Sequence, residues 1–410
     1  MLRRMAMLFS WLAIALSLQA DGNLTGRLMY RMKARTHPYA QAEIHAVLQP
    51  LCIRTCPSPL QYTVLDVGGL SHARSGLAYL KQRPDVETAF LEGYVTLCAV
   101  PTDPAYVTYQ EALRQVNLPA AWDISTGSVT TVVAVLDSGI RATHEEFTGK
   151  VLAGWDFVNG DADPNDDIAS LHGTLVSGII AANTNNAKGG AGVCWTCKIL
   201  PLKVANAAGG VATSDATSAI VYAADNGAHV INMSFAGLGS QSDVTAYRTA
   251  INYARSKGCL LVAAAGNNTP YGTSNEGYVP CSQPGVISVA SVDSSNTVSY
   301  FSDYGSTVDL SAPGENIYGP YTQPSSYTYN TGTSFASPIV AGVAALLHSY
   351  QPTLTHDQIE DLLKISACDR GPVGRDNAYG YGLVDAGRAF YFLQQNLFPI
   401  SAAASGKPAF

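Results

Sequence analysis

Five short runs in the later part of the chain are apolar at nearly every position and rich in β-branched residues. They span residues 132–136, 199–204, 230–233, 260–265 and 286–290. Such uninterrupted apolar character predicts strands that are covered on both faces. Helical spacing of apolar residues lies between the runs, at 214–226 and 242–256. This alternation predicts an α/β fold with a mostly parallel sheet and helices on both faces.

A smaller pattern precedes these runs. It predicts a strand, a helix and a second strand at residues 62–67, 69–81 and 86–97. The segment that follows, 99–104, contains two prolines, which resist continuous regular structure. We therefore predict a small α+β domain, a large domain and a loose tail, at 21–97, 98–395 and 396–410.

The first twenty residues have the composition of a secretory signal. Arg3 and Arg4 supply a positive start, residues 8–18 form an apolar run, and Ala20 is a small residue at a cleavage position. The run is shorter than the ~18 apolar residues of a membrane-spanning helix, which argues against an uncleaved anchor. We expect residues 1–20 to be removed and the protein to be secreted, either outside the cell or into a periplasm, with no membrane association afterwards.

Composition narrows the possible partners. Only 13% of the residues are charged and 47% are hydrophobic, which is typical of a compact globular protein. The formal net charge of −7 comes from 24 basic and 31 acidic side chains. Because this chain has no excess of positive charge to follow a phosphate backbone, nucleic acid is not expected as a partner.

Eight cysteines in an exported chain predict disulfides. Cys194 and Cys197 are separated by two residues, and no second such pair completes a zinc set, so we expect a local disulfide. Cys259 and Cys281 flank the ends of two predicted strands and are a candidate second pair, which leaves Cys368 without a late partner. The other three cysteines are early in the chain, at positions 52, 56 and 98.

Four polar residues end or open these apolar elements. Asp137 ends one apolar run, and Asn267 follows another after a glycine. His172 opens a helical pattern, and Ser334 precedes an apolar helix predicted at 339–350. Each residue by itself is ordinarily a cap, a turn former or a structural group. Together they predict a catalytic site, because chemistry in parallel sheets gathers at the carboxyl ends of the strands.

The same segments resemble the signature blocks of the subtilisin-like serine proteases, the subtilases, over about residues 104–390. The blocks are Asp-Ser-Gly at 137–139, His-Gly-Thr at 172–174, Ala-Ala-Gly-Asn at 264–267 and Gly-Thr-Ser-Phe-Ala-Ser-Pro at 332–338. The chain order Asp, His, Ser differs from the orders in chymotrypsin-like and α/β-hydrolase enzymes. The resemblance implies a subtilisin-like fold and a serine endopeptidase.

The resemblance also assigns a role to each residue. Ser334 is the expected nucleophile, His172 the base that activates it, and Asp137 the group that orients the imidazole and stabilises its charged form. The Asn267 side-chain amide and the Ser334 main-chain N–H are the expected oxyanion donors. This mechanism needs no catalytic cofactor.

Protein and peptide substrates are expected to bind as extended strands, which permits varied sequences. By resemblance, the edge that pairs with them consists of Ser234, Phe235, Ala236 and Gly237. Gly277 matches the floor of the primary specificity pocket and leaves room for a large side chain. We expect broad specificity, with large apolar residues preferred before the scissile bond. Glu276 either adds a preference for basic residues or is a solvated loop charge.

Residues 21–97 resemble a subtilase propeptide, most clearly from Tyr62 onward. The resemblance implies that this segment is a folding chaperone and an intramolecular inhibitor, and that the enzyme cuts the segment from itself. We expect the enzyme to be a monomer. The last residues of such an inhibitor lie in the substrate groove. This predicts a cut after Leu97, with Leu97 in the primary pocket and Tyr94 near Phe235. Cuts after Cys98, Ala99 or Val100 are the alternatives.

Two loops are candidates for a structural calcium ion, and the sequence does not assign its ligands. Many subtilases bind calcium after the helix of the catalytic histidine, where this chain has Asn183, Asn185 and Asn186, with Glu146 as a nearby carboxylate. The loop before His172 contains Asp161, Asp163, Asp166 and Asp167. Oxygen-rich loops suit calcium, but solvated polar loops have the same composition.

Two other functions compete with the endopeptidase. A catalytically inactive subtilase fold, used as a binding module or an inhibitor, should lack one of the four catalytic residues, and all four are present. An esterase with the same triad does not need the peptide-pairing edge at 234–237. Glycosylation patterns occur at Asn23, Asn232 and Asn267, but the last two overlap the predicted site.

Overall fold

The computed structural model describes residues 24–34, 36, 39–50, 52–55, 61–67, 70–93, 99–268, 272–395 and 398. The chain divides into two compact units, Met1–Leu97 and Cys98–Phe410. Several predictions lie outside the described residues and stay predictions. They are the signal segment, the pattern at Asn23, the cut after Leu97 and all of the tail except residue 398.

The first unit contains an antiparallel sheet, in the order β2-β3-β1-β4, and two helices. The elements are β1 (Leu24–Met32), α1 (Tyr39–Leu48), β2 (Cys52–Thr55), β3 (Thr63–Asp66), α2 (Leu70–Gln82) and β4 (Val86–Gly93). The last three confirm the predicted strand, helix and strand. The first three were not predicted. In β1, buried Leu28 and Tyr30 alternate with partly exposed Met29 and Arg31, a half-buried pattern unlike the uninterrupted apolar runs.

The second unit is built on a seven-stranded sheet in which every neighbouring pair is parallel, in the order β13-β12-β10-β8-β5-β7-β6. Its strands are β5 (Val132–Asp137), β6 (Trp155–Asp156), β7 (Lys198–Lys203), β8 (Val230–Met233), β10 (Leu260–Ala264), β12 (Val286–Val292) and β13 (Val308–Pro313). Two antiparallel ribbons pair β9 (Gly237–Leu238) with β11 (Tyr278–Val279) and β14 (Ile317–Pro320) with β15 (Tyr327–Asn330). The predicted α/β fold is therefore confirmed, and each predicted apolar run is a strand of the parallel sheet.

Helices cover both faces of this sheet. They are α3 (Pro104–Tyr109), α4 (Glu111–Gln115), α5 (Leu118–Trp122), α6 (His172–Ala181), α7 (Thr213–Asp225), α8 (Gln241–Ser256), α9 (Thr333–Tyr350), α10 (His356–Ser366) and α11 (Ala386–Gln394). Val133 and Val135 of β5 belong to the apolar core that includes α6 and α9, whereas Ala134 and Leu136 belong to the core that includes α7 and α8. Within the described part of the chain, no helix is long and apolar enough to cross a membrane.

Helix α9 begins earlier than its apolar pattern predicts. The pattern indicates a helix at 339–350, but the helix begins at Thr333 and contains Ser334 and Pro338. Pro338 has no N–H, so the carbonyl of Ser334, one turn earlier, receives no intrahelical hydrogen bond from it. All residues from Thr333 to Leu347 are buried, which makes α9 the central helix of its layer.

One of the two expected disulfides is present. Cys194 and Cys197 are bonded, with Cα atoms 5.5 Å apart. The predicted Cys259–Cys281 bond is wrong, because both residues are free thiols. Cys259 directly precedes β10, whereas the thiol of Cys281 contacts the carbonyl of Ala265 beyond the other end of that strand. A strand of this length spans about 16 Å, but a disulfide needs Cα atoms about 4.4–6.8 Å apart.

Replacing Gly342 of α9 by alanine should destabilise the protein, although alanine is the better helix former by about 1 kcal/mol. A methyl group there would lie 2.6 Å from Cβ of Val193, which is fully buried. We expect Gly342→Ala to lower the free energy of unfolding by about 1–3 kcal/mol, measured by urea unfolding with circular dichroism. Val193→Gly removes this Cβ, so the double variant Gly342→Ala/Val193→Gly should lose less stability than the sum of the two single losses. Strict additivity would contradict this packing argument.

Candidate active site

The predicted catalytic residues meet at the carboxyl edge of the parallel sheet. Asp137 is the last residue of β5, and Asn267 lies just beyond the end of β10. Ser234 follows β8, the strand between them. His172 and Ser334 are the first and second residues of α6 and α9, so two helix amino-termini also reach this edge.

Asp137 and His172 form a close pair. Nδ1 of His172 lies 2.7 Å from Oδ1 of Asp137, which also accepts the N–H of Ser138 at 2.7 Å. The side chain of Asp137 is 5% exposed and that of His172 is 27% exposed, so the imidazole is the accessible partner. Burial opposes a charge on the imidazole, but the carboxylates of Asp137 and Asp166 outweigh it and raise the pKa of His172.

Ser334 and Ser234 exchange two hydrogen bonds, although 100 residues separate them in sequence. Oγ of Ser334 donates to the carbonyl of Ser234 at 2.9 Å, and Oγ of Ser234 donates to the carbonyl of Ser334 at 2.8 Å. The Ser334 carbonyl accepts this bond in place of the N–H that Pro338 lacks. Asn232 donates to the same Ser234 hydroxyl, and its full burial excludes glycosylation there.

The serine and the histidine are neighbours without a direct hydrogen bond between them. Phe335, the residue after Ser334, packs against the imidazole of His172 with ring centroids 5.1 Å apart. The Ser334 hydroxyl is bonded to Ser234 and not to this imidazole. The structure therefore places Ser334 close to His172, with its hydroxyl bonded to the Ser234 carbonyl.

Thr333 orients Asn267. Oδ1 of Asn267 accepts the main-chain N–H of Thr333 at 2.8 Å and its hydroxyl at 2.9 Å. Because a main-chain N–H only donates, the facing atom must be the amide oxygen, and the NH2 group is left to donate elsewhere. This NH2 group lies next to Gly332, where a Cβ would be 3.4 Å from Nδ2.

The loop that carries Asn267 is held by Asp303, which the sequence analysis did not identify. Asp303 is fully buried, and its carboxylate accepts the main-chain N–H groups of Asn268 and Thr273 at 3.3 and 2.6 Å. Its own N–H donates to the carbonyl of Gly266 at 3.0 Å. No local pattern marks Asp303, because these partners are at least 30 residues away in sequence.

Gly237 and Gly277, both predicted to contact substrate, lie in adjoining segments. Gly237 begins β9, which pairs with β11, and β11 directly follows Gly277. Gly277 has φ +83°, a conformation that favours glycine. A Cβ there would contact only Leu238, at 3.6 Å, so the space above it is open. Glu276 accepts a hydrogen bond from Ser306 at 2.9 Å on the exposed side of the loop.

A cavity of about 200 Å³ opens beside the Asp137–His172 pair. Its lining includes Ile168, Ser170, Ala205, Gly209, Val211 and Phe235. Sequence analysis identified only Phe235 among these, and Ala236 next to it is also half-buried. Segment 205–211 follows β7, the strand next to β5, and this adjacency brings it to the site.

The asparagine segment after α6 lies beside two buried carboxylates. Glu146 is fully buried and accepts the Tyr327 hydroxyl at 2.8 Å and Nδ2 of Asn186 at 3.2 Å. Asp103 is 2% exposed and accepts the N–H groups of Asn185 and Asn186 at 2.6 and 3.1 Å. Burial raises the pKa of Glu146 to about 7, and the charge of Asp103 adds to this effect. Sequence analysis missed Asp103, which is 82 residues from Asn185.

The four acids at 161–167 do not converge. Asp166 is buried and bonds to Thr174, whereas Asp167 pairs with Lys203. The other two lie on the exposed side of the loop. Across the described ranges, no group of three or more His, Cys, Asp or Glu side chains is placed to hold a metal ion.

Comparison with known proteins identifies the family of this chain. Residues 128–382 match the subtilase family. A thermophilic serine proteinase of Bacillus sp. (strain AK1) is 41% identical over 289 residues, which cover 70% of this chain and 69% of that protein. Thermitase of Thermoactinomyces vulgaris is 41% identical over 249 residues, which cover 61% of this chain and 85% of thermitase. A solved protease structure from Pseudoalteromonas arctica PAMC 21717 has a TM-score of 0.65 and 36% identity, over 72% of this chain and 99% of that one.

These matches confirm the resemblance that the motifs carried. The family match spans more than half of the chain and contains all four predicted catalytic residues. The chain therefore belongs to the subtilase family and is a subtilisin-like serine endopeptidase.

Proposed function

We propose that Asp137, His172 and Ser334 form the catalytic triad of this endopeptidase and that Asn267 donates to the oxyanion. The observation that carries the proposal is the 2.7 Å contact between Nδ1 of His172 and Oδ1 of Asp137, beside a serine that opens a buried helix. A carboxylate at Nδ1 keeps the proton there, so that Nε2 is available as the base.

Hydrolysis begins when Oγ of Ser334 turns from the Ser234 carbonyl toward Nε2 of His172. The imidazole takes the hydroxyl proton while Oγ attacks the scissile carbonyl carbon and the π-electrons move to the carbonyl oxygen. Asp137 stabilises the imidazolium, which returns the proton to the leaving amine as the C–N bond breaks. Water then attacks the acyl-enzyme by the same route and restores the serine.

Two N–H donors stabilise the oxyanion. The NH2 group of Asn267 is available because Thr333 occupies its oxygen. The main-chain N–H of Ser334 lies in the first turn of α9, where N–H groups lack intrahelical acceptors and the helix dipole favours negative charge. Both donors are fixed before the substrate binds, which is what makes such stabilisation effective.

The substrate lies as an extended strand against residues 234–237. A large apolar side chain before the scissile bond fits the open space above Gly277. The cavity lined by Ile168, Val211 and Phe235 accepts an apolar side chain further upstream. Filling such pockets typically contributes ~1–3 kcal/mol of discrimination.

The first unit acts as a propeptide, which the enzyme cuts from itself after a signal peptide has directed secretion. The buried Cys194–Cys197 disulfide supports an oxidising, extracytoplasmic compartment. The mature enzyme is a monomer that the cut propeptide inhibits until it is degraded.

Asp103 and Glu146 are ligands of a structural calcium ion. Both carboxylates are buried, and they are close enough for the charge of Asp103 to raise the pKa of Glu146. A divalent cation stabilises such a pair by neutralising both charges, and carboxylate and carbonyl oxygens are the ligands that calcium prefers. The ion takes part in no step of hydrolysis; it stabilises the loop after α6.

Ser334→Ala should fold but remain as uncut precursor, because it lacks the hydroxyl that attacks the peptide bond. Intact mass and N-terminal sequencing of the purified protein measure this. Ser349→Ala changes a serine 15 residues further along the same helix and should mature normally. Mature-length protein from pure Ser334→Ala, with no other protease present, would contradict self-processing. Iodoacetamide should leave the wild type active, since burial raises the pKa of Cys259 and Cys281 to about 12.

Mature enzyme should begin Cys-Ala-Val-Pro when sequenced by Edman degradation, because the cut follows Leu97. Peptides with leucine or phenylalanine before the scissile bond should be cut about 10-fold faster than those with arginine or aspartate, as kcat/KM. The open space above Gly277, which only Leu238 borders closely, is the reason. A mature N-terminus within 61–93, or a preference for arginine, would show that both the boundary and the pocket are wrongly assigned.

Chelation with EDTA should lower the melting temperature by about 5 °C or more while initial activity stays nearly unchanged, because bound calcium stabilises only the native state. Enzyme inactivated with phenylmethylsulfonyl fluoride avoids self-digestion during calorimetry. Glu146→Gln should melt at the same temperature with and without EDTA. An unchanged wild-type melting temperature in EDTA would contradict the proposal that Asp103 and Glu146 bind calcium.

A further inference from the structure

Helix α6, which begins at the proposed catalytic base, is not capped by the residue before it. That residue, Leu171, has φ 47° and ψ 45° and no side-chain hydrogen-bond acceptor. The first N–H groups of a helix need acceptors from elsewhere. Oγ of Ser138 accepts the N–H of Gly173 at 2.8 Å, and Oδ2 of Asp166 accepts the N–H of Thr174 at 2.9 Å. The first turn of α6 is therefore held from outside the helix.

Asp166 is held by its Oδ2 and by both of its main-chain polar groups. It is fully buried, and its Oδ2 also accepts the hydroxyl of Thr174 at 2.7 Å. Its carbonyl accepts Nε of Arg141 at 2.8 Å, and its N–H donates to the carbonyl of Ile140 at 3.3 Å. Residues 140 and 141 follow Asp137 closely in the chain, so these bonds join the segment after β5 to the start of α6.

We propose that Asp166 is a positioning residue for the catalytic base: it caps the helix that His172 opens and places a second buried carboxylate behind the Asp137–His172 pair. This inference rests on the proposed function of His172. Asp166 touches neither substrate nor reacting atoms, and it acts through the orientation and the charge state of the imidazole.

The charge of Asp166 should shift the pH dependence of activity in one direction. The charged groups that act on His172 are Asp137 and Asp166, and both favour the imidazolium over the opposing effect of burial. Near Asp166, the side chain of Arg141 bonds to its carbonyl, and Lys203 pairs with Asp167. A general base must be neutral, so activity is lost as pH falls through the raised pKa of His172. Removing the Asp166 charge should therefore move the acid limb to lower pH.

One observation indicates that the two carboxylates share an environment. Oδ2 of Asp137 and Oδ1 of Asp166 are both buried, and neither has a hydrogen-bond partner among the described residues. Burial is the main cause that raises the pKa of Asp166, and the charge of Asp137 adds to it.

Two substitutions separate the cap from the charge. Asp166→Asn keeps an oxygen that accepts from Thr174 but removes the charge, whereas Asp166→Ala removes both. We expect Asp166→Asn to shift the acid limb of kcat/KM downward by roughly half a pH unit, with KM unchanged. Asp166→Ala should in addition lower kcat about 10-fold at unchanged KM, because the base is less well oriented. Asp357→Asn makes the same change in the first turn of α10, where the side chain is 60% exposed, and should match the wild type.

The pH profile of Asp166→Asn decides the question even if Asp166→Ala does not fold. A wild-type acid limb in Asp166→Asn, or a loss that lies in KM alone, overturns the inference. Different results would contradict the proposed triad itself. In that case the wild type would not hydrolyse peptides, or Ser334→Ala would hydrolyse them at the wild-type rate. The assay is initial-rate hydrolysis of a peptide anilide with phenylalanine before the scissile bond, between pH 5 and pH 9.

Discussion

Two-sided burial of the parallel sheet is the constraint on which this site depends. Consecutive side chains of β5 enter opposite apolar cores, so Val135 and Leu136 are both fully enclosed although they point in opposite directions. A carboxylate at either position would lose its hydration without gaining a partner. Asp137 stands at the strand end, where one main-chain N–H and an imidazole contact its Oδ1. The reactive groups share this edge because it is where the sheet can hold polar atoms.

A proline links the proposed nucleophile to the sheet. Since Pro338 has no N–H, the carbonyl of Ser334 receives the hydroxyl of Ser234 instead, and this bond joins α9 to the end of β8. Thr333, one residue earlier, directs the amide of Asn267. The first turn of one helix thus fixes both the serine and the proposed oxyanion donor. Both contacts use main-chain groups of this first turn that have no partner within the helix.

Buried acids around the site are stabilised in different ways. Asp303 accepts main-chain N–H groups, which lie in fixed positions and hold the Asn267 loop. Asp137 accepts one such N–H and faces the imidazole. Glu146 has only neutral side-chain donors and a second acid nearby, and its pKa rises to about 7. The number and the charge of the donors therefore differ from one buried carboxylate to the next, and a buried carboxylate with few donors is less well stabilised in its charged form.

The sequence by itself determined five of the seven parallel strands to within one or two residues, two helices between them and the positions of the four catalytic candidates. These signals are local, since an apolar run or a motif is complete within about ten residues. Only the tertiary structure decided the partners of Asp166 and Asp303, the burial of Asp103, and the failure of Cys259 to reach Cys281. These contacts depend on the order of the strands in the sheet. The separation of the two cysteines depends on the length of β10, which lies between them. Sequence spacing does not contain such distances, because residues far apart in the chain become neighbours only when the sheet order is set.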